Sequence, residues 1–119
     1  MAQPKQLTLY FTFRIKPHLI EEFKAAHRPV WAACAAEPEC LLFDVFQDPA
    51  THGKSRFVEI RNANKQWFEK EQLTKPYYAT LWDQSKPTWE KEAQLEYFVR
   101  EGEGSIYRKG YIDGGRLVE

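Results

Sequence analysis

LTLYFTFRI, residues 7–15, alternates without a break: Leu7, Leu9, Phe11, Phe13 and Ile15 fall on one side, Thr8, Tyr10, Thr12 and Arg14 on the other. A period of two in a run rich in aromatic and β-branched residues predicts a β-strand with one face in a core. Tyr10 sits among the smaller polar residues of the second face. What covers that face becomes a question for the whole fold.

After Lys16-Pro17 the period changes. From His18 to Ala36, residues Leu19, Ile20, Phe23, Ala26, His27, Val30, Trp31 and Cys34 share one helical stripe, with Glu21, Lys24 and Arg28 away from it. The spacing predicts a helix interrupted within HRPVW, residues 27–31, because Pro29 leaves the Ala25 carbonyl without its donor and costs about 3 kcal/mol in a helix interior. A bend there would part helix from sheet where His27 and Trp31 face inward, one turn apart.

CLLFDVFQD at 40–48 and SRFVEIR at 55–61 read as two strands joined through DPATHGK. Asn62 or Asn64 can cap a short helix carrying Trp67, Phe68 and Gln72. Thr74 and Pro76 then restart a helix through Tyr77, Tyr78, Leu81 and Trp82, which Pro87 closes. QLEYFVR at 94–100 is a fourth strand, and the five glycines of residues 101–119 make that stretch a Gly-rich arm.

The order β-α-β-β-α-β predicts an α+β, ferredoxin-like protomer: a four-stranded antiparallel sheet with helices on one face. We read one domain over 1–119, with its core at about 7–100. Either sheet face carries large apolar groups, Tyr10, Leu42, Phe46 and Phe98 on one choice, Leu41, Phe43, Val45, Tyr97 and Val99 on the other. A second copy is the simplest cover, so the expected assembly is a homodimer through sheet faces.

Composition narrows the partners. Lys plus Arg equals Asp plus Glu at 17 each, so no charge field favours nucleic acid or an anionic membrane. MAQPKQLTLY has no basic segment followed by an apolar run, and no apolar stretch reaches membrane-spanning length. A cytoplasmic protein is expected, with Cys34 and Cys40 as buried free thiols. Four Trp, six Tyr and eight Phe in 119 residues suit a core or a pocket for an aromatic small molecule. Three histidines without paired spacing give no metal signature, and no Gly-rich phosphate loop joins a strand to a helix.

Four segments in order, FRIKPHLIEEF at 13–23, EPECLLFDVFQDP at 37–49, FVEI at 57–60 and QLTKPYY at 72–78, resemble the antibiotic biosynthesis monooxygenase family of dimeric α+β barrels. The resemblance implies a homodimer and, often, oxidation or rearrangement of small aromatic or quinol-like compounds with neither metal nor flavin. Other members degrade haem, isomerise metabolites or have no known activity, so the likeness does not fix the reaction. Three positions depart from the family. Its Glu-Pro-Gly is Glu37-Pro38-Glu39 here, its Glu-aliphatic-Trp is Glu59-Ile60-Arg61, and a His common before Leu-x-x-Pro is Gln72. Phe11, Gln72 and Trp82, at the positions aligned with the haem-degrading branch, cannot do the corresponding work.

Cofactor-free oxidation needs an ionised, electron-rich substrate, hence a base, a partner for the anion and a dry aromatic cavity. His27 is the leading base, from its ordinary pKa and inward position, and the same position also suits a buried histidine held by a hydrogen bond. His18 and His52 are lesser candidates. Arg61 can hold an anion if it faces the cavity, or pair with Glu59 if it does not. Glu59 and Asp44 are candidate carboxylate bases or members of a buried ion-pair network. Phe11, Trp31, Phe43, Tyr78 and Trp82 can enclose a flat ring, and Gln72 can bond its oxygens. The first reading is a small cofactor-independent monooxygenase-like enzyme acting on an aromatic polyketide or quinol-type substrate. The same pocket suits a cyclase or isomerase working without dioxygen, and the missing family His and Trp suit a non-catalytic binder of a hydrophobic metabolite.

Overall fold

The computed structural model describes residues 6–99. The elements run β1 (Leu7–Ile15), a 3-10 turn (Pro17–Leu19), α1 (Ile20–Ala35), β2 (Cys40–Gln47) and β3 (Lys54–Arg61). There follow α2 (Lys65–Trp67), which widens into a π-helical turn (Phe68–Gln72), α3 (Tyr77–Ser85), a 3-10 turn (Lys86–Thr88) and β4 (Trp89–Val99). The sheet has four strands in the order β2-β3-β1-β4, every neighbouring pair antiparallel. That is the α+β, ferredoxin-like architecture read from the sequence. The Gly-rich arm at 101–119 lies outside the described residues.

β1 is central, paired along one edge with β3 and along the other with β4. Leu7, Leu9, Phe13 and Ile15 are buried against the helices, while Thr8 and Thr12 are short enough to be shielded by the flanking strands. Phe13 and Phe23 of α1 meet at 5.1 Å between ring centres, and Phe57 of β3 lies 4.9 Å from Phe13. Burying each such ring contributes about 2–3 kcal/mol. A second cluster joins α1 to α3 through Val30, Cys34, Tyr78 and Leu81, and a third sets Phe68 on Leu7 and Leu9.

The expected interruption of α1 is absent: the helix runs as one element through Pro29. Ala25 and Pro29 are both exposed, one turn apart, so the carbonyl that loses its donor lies on the water side. Glu21 and Glu22 occupy the first turn, where the helix dipole favours negative charge. Asn64, not Asn62, caps α2, its side chain accepting from the Trp67 N–H at 2.8 Å. Pro76 opens α3 with no side-chain cap. β4 begins at Trp89, before the expected 94, because shifts in its register against β1 near Arg14 destroy the alternation.

The β2–β3 hairpin is pinned at Gly53, which has φ of 87°. A Cβ there would lie 2.4 Å from the Ile15 carbonyl oxygen, and the Ile15 N–H donates to the Gly53 carbonyl at 2.7 Å. Gly53→Ala is therefore expected to lower stability by about 2 kcal/mol in urea unfolding. Unchanged stability would mean that the hairpin is not held in this conformation.

Candidate functional site

Three groups of side chains compete for the role of site. The first surrounds His27, which the α1 stripe does bury, at 1% exposure. Its ring lies 4.1 Å from Phe23 and 5.3 Å from both Phe13 and Phe57, with Trp31 at 5.9 Å and Trp82 at 6.5 Å. Its Nε2 meets the Ser85 hydroxyl at 2.7 Å, and the same oxygen accepts from Trp89 Nε1 at 2.8 Å. Burial holds the imidazole down, at about 3, so His27 is neutral near pH 7. Here it fastens α1 to the end of α3 and the start of β4.

The second group is a polar network centred on Arg61, fully buried at the end of β3. Arg61 Nε and Nη2 donate to Glu59 Oε1 at 3.2 and 3.0 Å, and Nη1 donates to Glu37 Oε1 at 2.9 Å. Lys75 Nζ and the Tyr77 hydroxyl donate to the other Glu37 oxygen. Gln72, also fully buried, donates from Nε2 to Tyr77 OH at 2.8 Å and to Tyr78 OH at 3.2 Å, with the Cys34 thiol beside both tyrosines. Burial pushes the Glu59 carboxyl up, which Arg61 only partly offsets. Burial acts on Glu37 in the same sense, but the bonds from Lys75, Arg61 and Tyr77 together hold it below the usual carboxylate range. The cysteines are free, Cys34 buried and Cys40 half-buried, and burial raises both thiols. Arg61 thus takes the ion-pair arrangement with Glu59, while Asp44 lies apart, accepting the Val45 N–H at 2.9 Å.

The third group is an opening. A cavity of about 340 Å³ lies between α1 and the β2–β3 hairpin. Ile15, Ile20, Phe23, Trp31 and Val45 give it apolar walls, and Lys24, Arg28 and Lys54 also line it. Its size is at the lower end for small-molecule pockets. Of the candidates named from the sequence, Trp31 reaches this cavity. His27 and Arg61 do not, the first because Phe23, Phe57 and Trp31 surround it, the second because two carboxylates hold it. Phe11 is buried against Phe13 and Trp82, and Phe43 packs beside Phe57. Tyr78 stacks on Trp82 at 5.7 Å. The structure therefore brings Phe11, Tyr78 and Trp82 together, as aromatic packing rather than as an open slot. The sequence reading missed Ile20, Lys24 and Arg28 as wall residues, although with Trp31 they recur at helical spacing on one side of α1. Among the described residues, no group of three His, Cys, Asp or Glu side chains could hold a metal ion, and no helix is long and apolar enough to cross a membrane.

The sheet's far side carries Tyr10, Phe46 and Phe98, with Tyr10 and Phe98 edge to face at 5.4 Å. Phe46 is 45% and Phe98 51% exposed. Arg56 crosses this surface, donating to Thr12 Oγ1 at 3.0 Å.

No protein-family model matches the chain. A protein of Pestalotiopsis microspora named "putative monooxygenase" is 26% identical over 94 residues, 79% of this chain and 78% of that one. A structure from Caulobacter crescentus titled "putative antibiotic biosynthesis monooxygenase" superposes with a TM-score of 0.71 at 18% identity, covering 82% of this chain and 92% of that one. A structure of the same description from Nitrosomonas europaea gives a TM-score of 0.75 at 16% identity, covering 88% and 99%. The chain has the fold of the antibiotic biosynthesis monooxygenase proteins, which bears out the resemblance carried by its ordered segments.

Proposed function

We propose that this protein is a small monooxygenase-like enzyme that oxidises an aromatic, quinol- or anthrone-type substrate without a cofactor, in the cavity beneath α1. The observation that carries the reading is the cavity itself, walled by Trp31 and Phe23 and open at the helix-sheet edge of this fold. A flat ring seated there leaves water on contact with the apolar walls, and cations at the opening favour its ionised form. The ionised ring gives an electron to dioxygen, and the two radicals join through a C–O bond at a carbon that still bears hydrogen. The peroxide anion takes up a proton from solvent, and cleavage of its O–O bond with loss of the C–H hydrogen releases water and leaves a new carbonyl. His27 does not supply the base in this arrangement: it is neutral, bonded to Ser85 and enclosed by aromatic rings. The substrate would lose its proton to solvent, helped by the nearby positive charge.

A second reading, binding without turnover, is favoured by one observation. Among the described residues that line the cavity there is neither a carboxylate nor a histidine, so no side-chain acid–base pair is offered to a bound molecule. We also propose that two copies pair through the sheet faces bearing Tyr10, Phe46 and Phe98, since the exposed rings of Phe46 and Phe98 beside half-buried Tyr10 call for cover. Sedimentation equilibrium that returned the mass of one chain at micromolar concentration would remove the dimer.

Oxygen-electrode traces with a panel of anthrones and hydroquinones test the enzyme. The expected result is uptake above the uncatalysed rate that Trp31→Ala reduces at least ten-fold. Product without uptake would transfer the reading to an isomerase or cyclase, and unchanged but bound ligand would leave the binder.

A further inference from the structure

We infer that the cavity beneath α1 selects an aromatic anion, with its ring against Trp31 and Phe23 and its charge at Arg28 and Lys24. The inference deepens the reading of this cavity as the substrate site and names the class of molecule it takes. Among the described residues, three cations and no acidic side chain line the cavity, in a chain whose formal charges balance at 17 of each sign. The cations stand at the exposed rim of apolar walls, with Glu21 and Asp48 facing two of them, so the positive charge left without a partner, that of Arg28, meets an anion whose ring is seated inside.

The three cations are not equivalent. Lys24 faces Glu21 at 3.7 Å and Lys54 faces Asp48 at 3.7 Å, both loose, partly exposed pairs. Arg28 has no ion-pair partner among the described residues. Its guanidinium offers a planar fork matched to a carboxylate or the oxygens of an ionised quinol. Lys24 precedes it by one helical turn and Trp31 follows at the next, so charge and ring surface lie along one side of α1.

Calorimetric titration of the full chain with 2-naphthoate and with its neutral isostere 2-naphthamide tests the inference. The acid is expected to bind at least ten-fold more tightly than the amide. Arg28→Gln, on an exposed helix position, should weaken the acid about ten-fold while leaving the amide unchanged, and Arg28→Lys should recover part of the loss. Equal affinities for acid and amide, a ratio untouched by Arg28→Gln, or no binding of either at millimolar concentration would each overturn it. Failure of the oxygenase reading looks different: charge-selective binding with no oxygen uptake on any substrate. Oxygen uptake with binding indifferent to charge would sink the inference and leave the enzyme.

Discussion

Arg61→Ala is expected to lower the unfolding free energy by about 3–5 kcal/mol, a large share of the 5–15 kcal/mol typical of a domain. The size follows from what remains behind. Glu59 keeps 4% side-chain exposure and loses the one cation bonded to it among the described residues, whereas Glu37 retains Lys75 and Tyr77. Burial already raises the Glu59 carboxyl against the pull of Arg61, and without the guanidinium nothing opposes that rise, so the variant holds an unpaired buried charge or a carboxyl that must take up a proton to remove it. Urea unfolding measures the loss. A companion double variant, Glu59→Leu with Arg61→Met, should recover most of it, because removing both charges also removes the desolvation cost of the pair. If Arg61→Ala unfolds within about 0.5 kcal/mol of the parent, the network is not closed in solution and Arg61 is free for other work.

The second large effect is acid sensitivity set by His27. Its pKa falls from an ordinary 6.5 to about 3 on burial. Above pH 6.5 the ring is neutral in the folded and unfolded chain alike, and the fold has its full stability. As pH falls below 6.5 the unfolded chain takes a proton that the folded chain refuses, so stability is lost progressively down to the folded pKa of about 3. At 1.36 kcal/mol per pH unit the loss is about 2 kcal/mol by pH 5 and about 4–5 kcal/mol by pH 3. Glu37, held low, adds to the loss below its unfolded pKa, and Glu59, held high, opposes it. Comparing urea unfolding at pH 7 and pH 5 for the parent and for His27→Leu isolates the histidine. The parent should lose about 2 kcal/mol more than the variant over that interval, and equal losses would show that the ring accepts a proton while folded.

The sequence carried the architecture because its strands are patterned by burial. The alternation of Leu7 through Ile15 placed β1 to the residue, and the α1 stripe named Phe23, His27, Val30 and Cys34, all buried. Patterning fails where geometry is irregular. The start of β4 was missed because Glu90, Lys91 and Glu92 are all exposed along a strand whose register shifts. The site was less legible for a different reason, since its partners come from distant positions. Ser85 lies 58 residues from the histidine it binds, and nothing in the 27–31 stretch announces it. Arg61 was open to two readings from its strand position, and Glu37, 24 residues away, decides between them. The cavity depends on how the hairpin around Gly53 meets Ile15 and α1, a tertiary relation without a sequence motif. Lys24 and Arg28 looked like solvated charge because the stripe was drawn around the most apolar residues.

Pro29 removes one bond from the hydrogen-bond ladder of α1, and the packing on either side spans the gap. Before it, Phe23 belongs to the aromatic cluster on the sheet while Ala26 reaches the α3 cluster; after it, Val30 and Cys34 belong with Tyr78 and Leu81 of α3 while Trp31 returns to the sheet cluster. His27 bonds Ser85 of α3 from one side of the proline, and Trp31 meets Phe57 of the sheet from the other. Helical segments that share their neighbours open together even where one bond of the ladder is missing. The imino acid on the outer surface therefore costs α1 a bond without giving local unfolding a boundary.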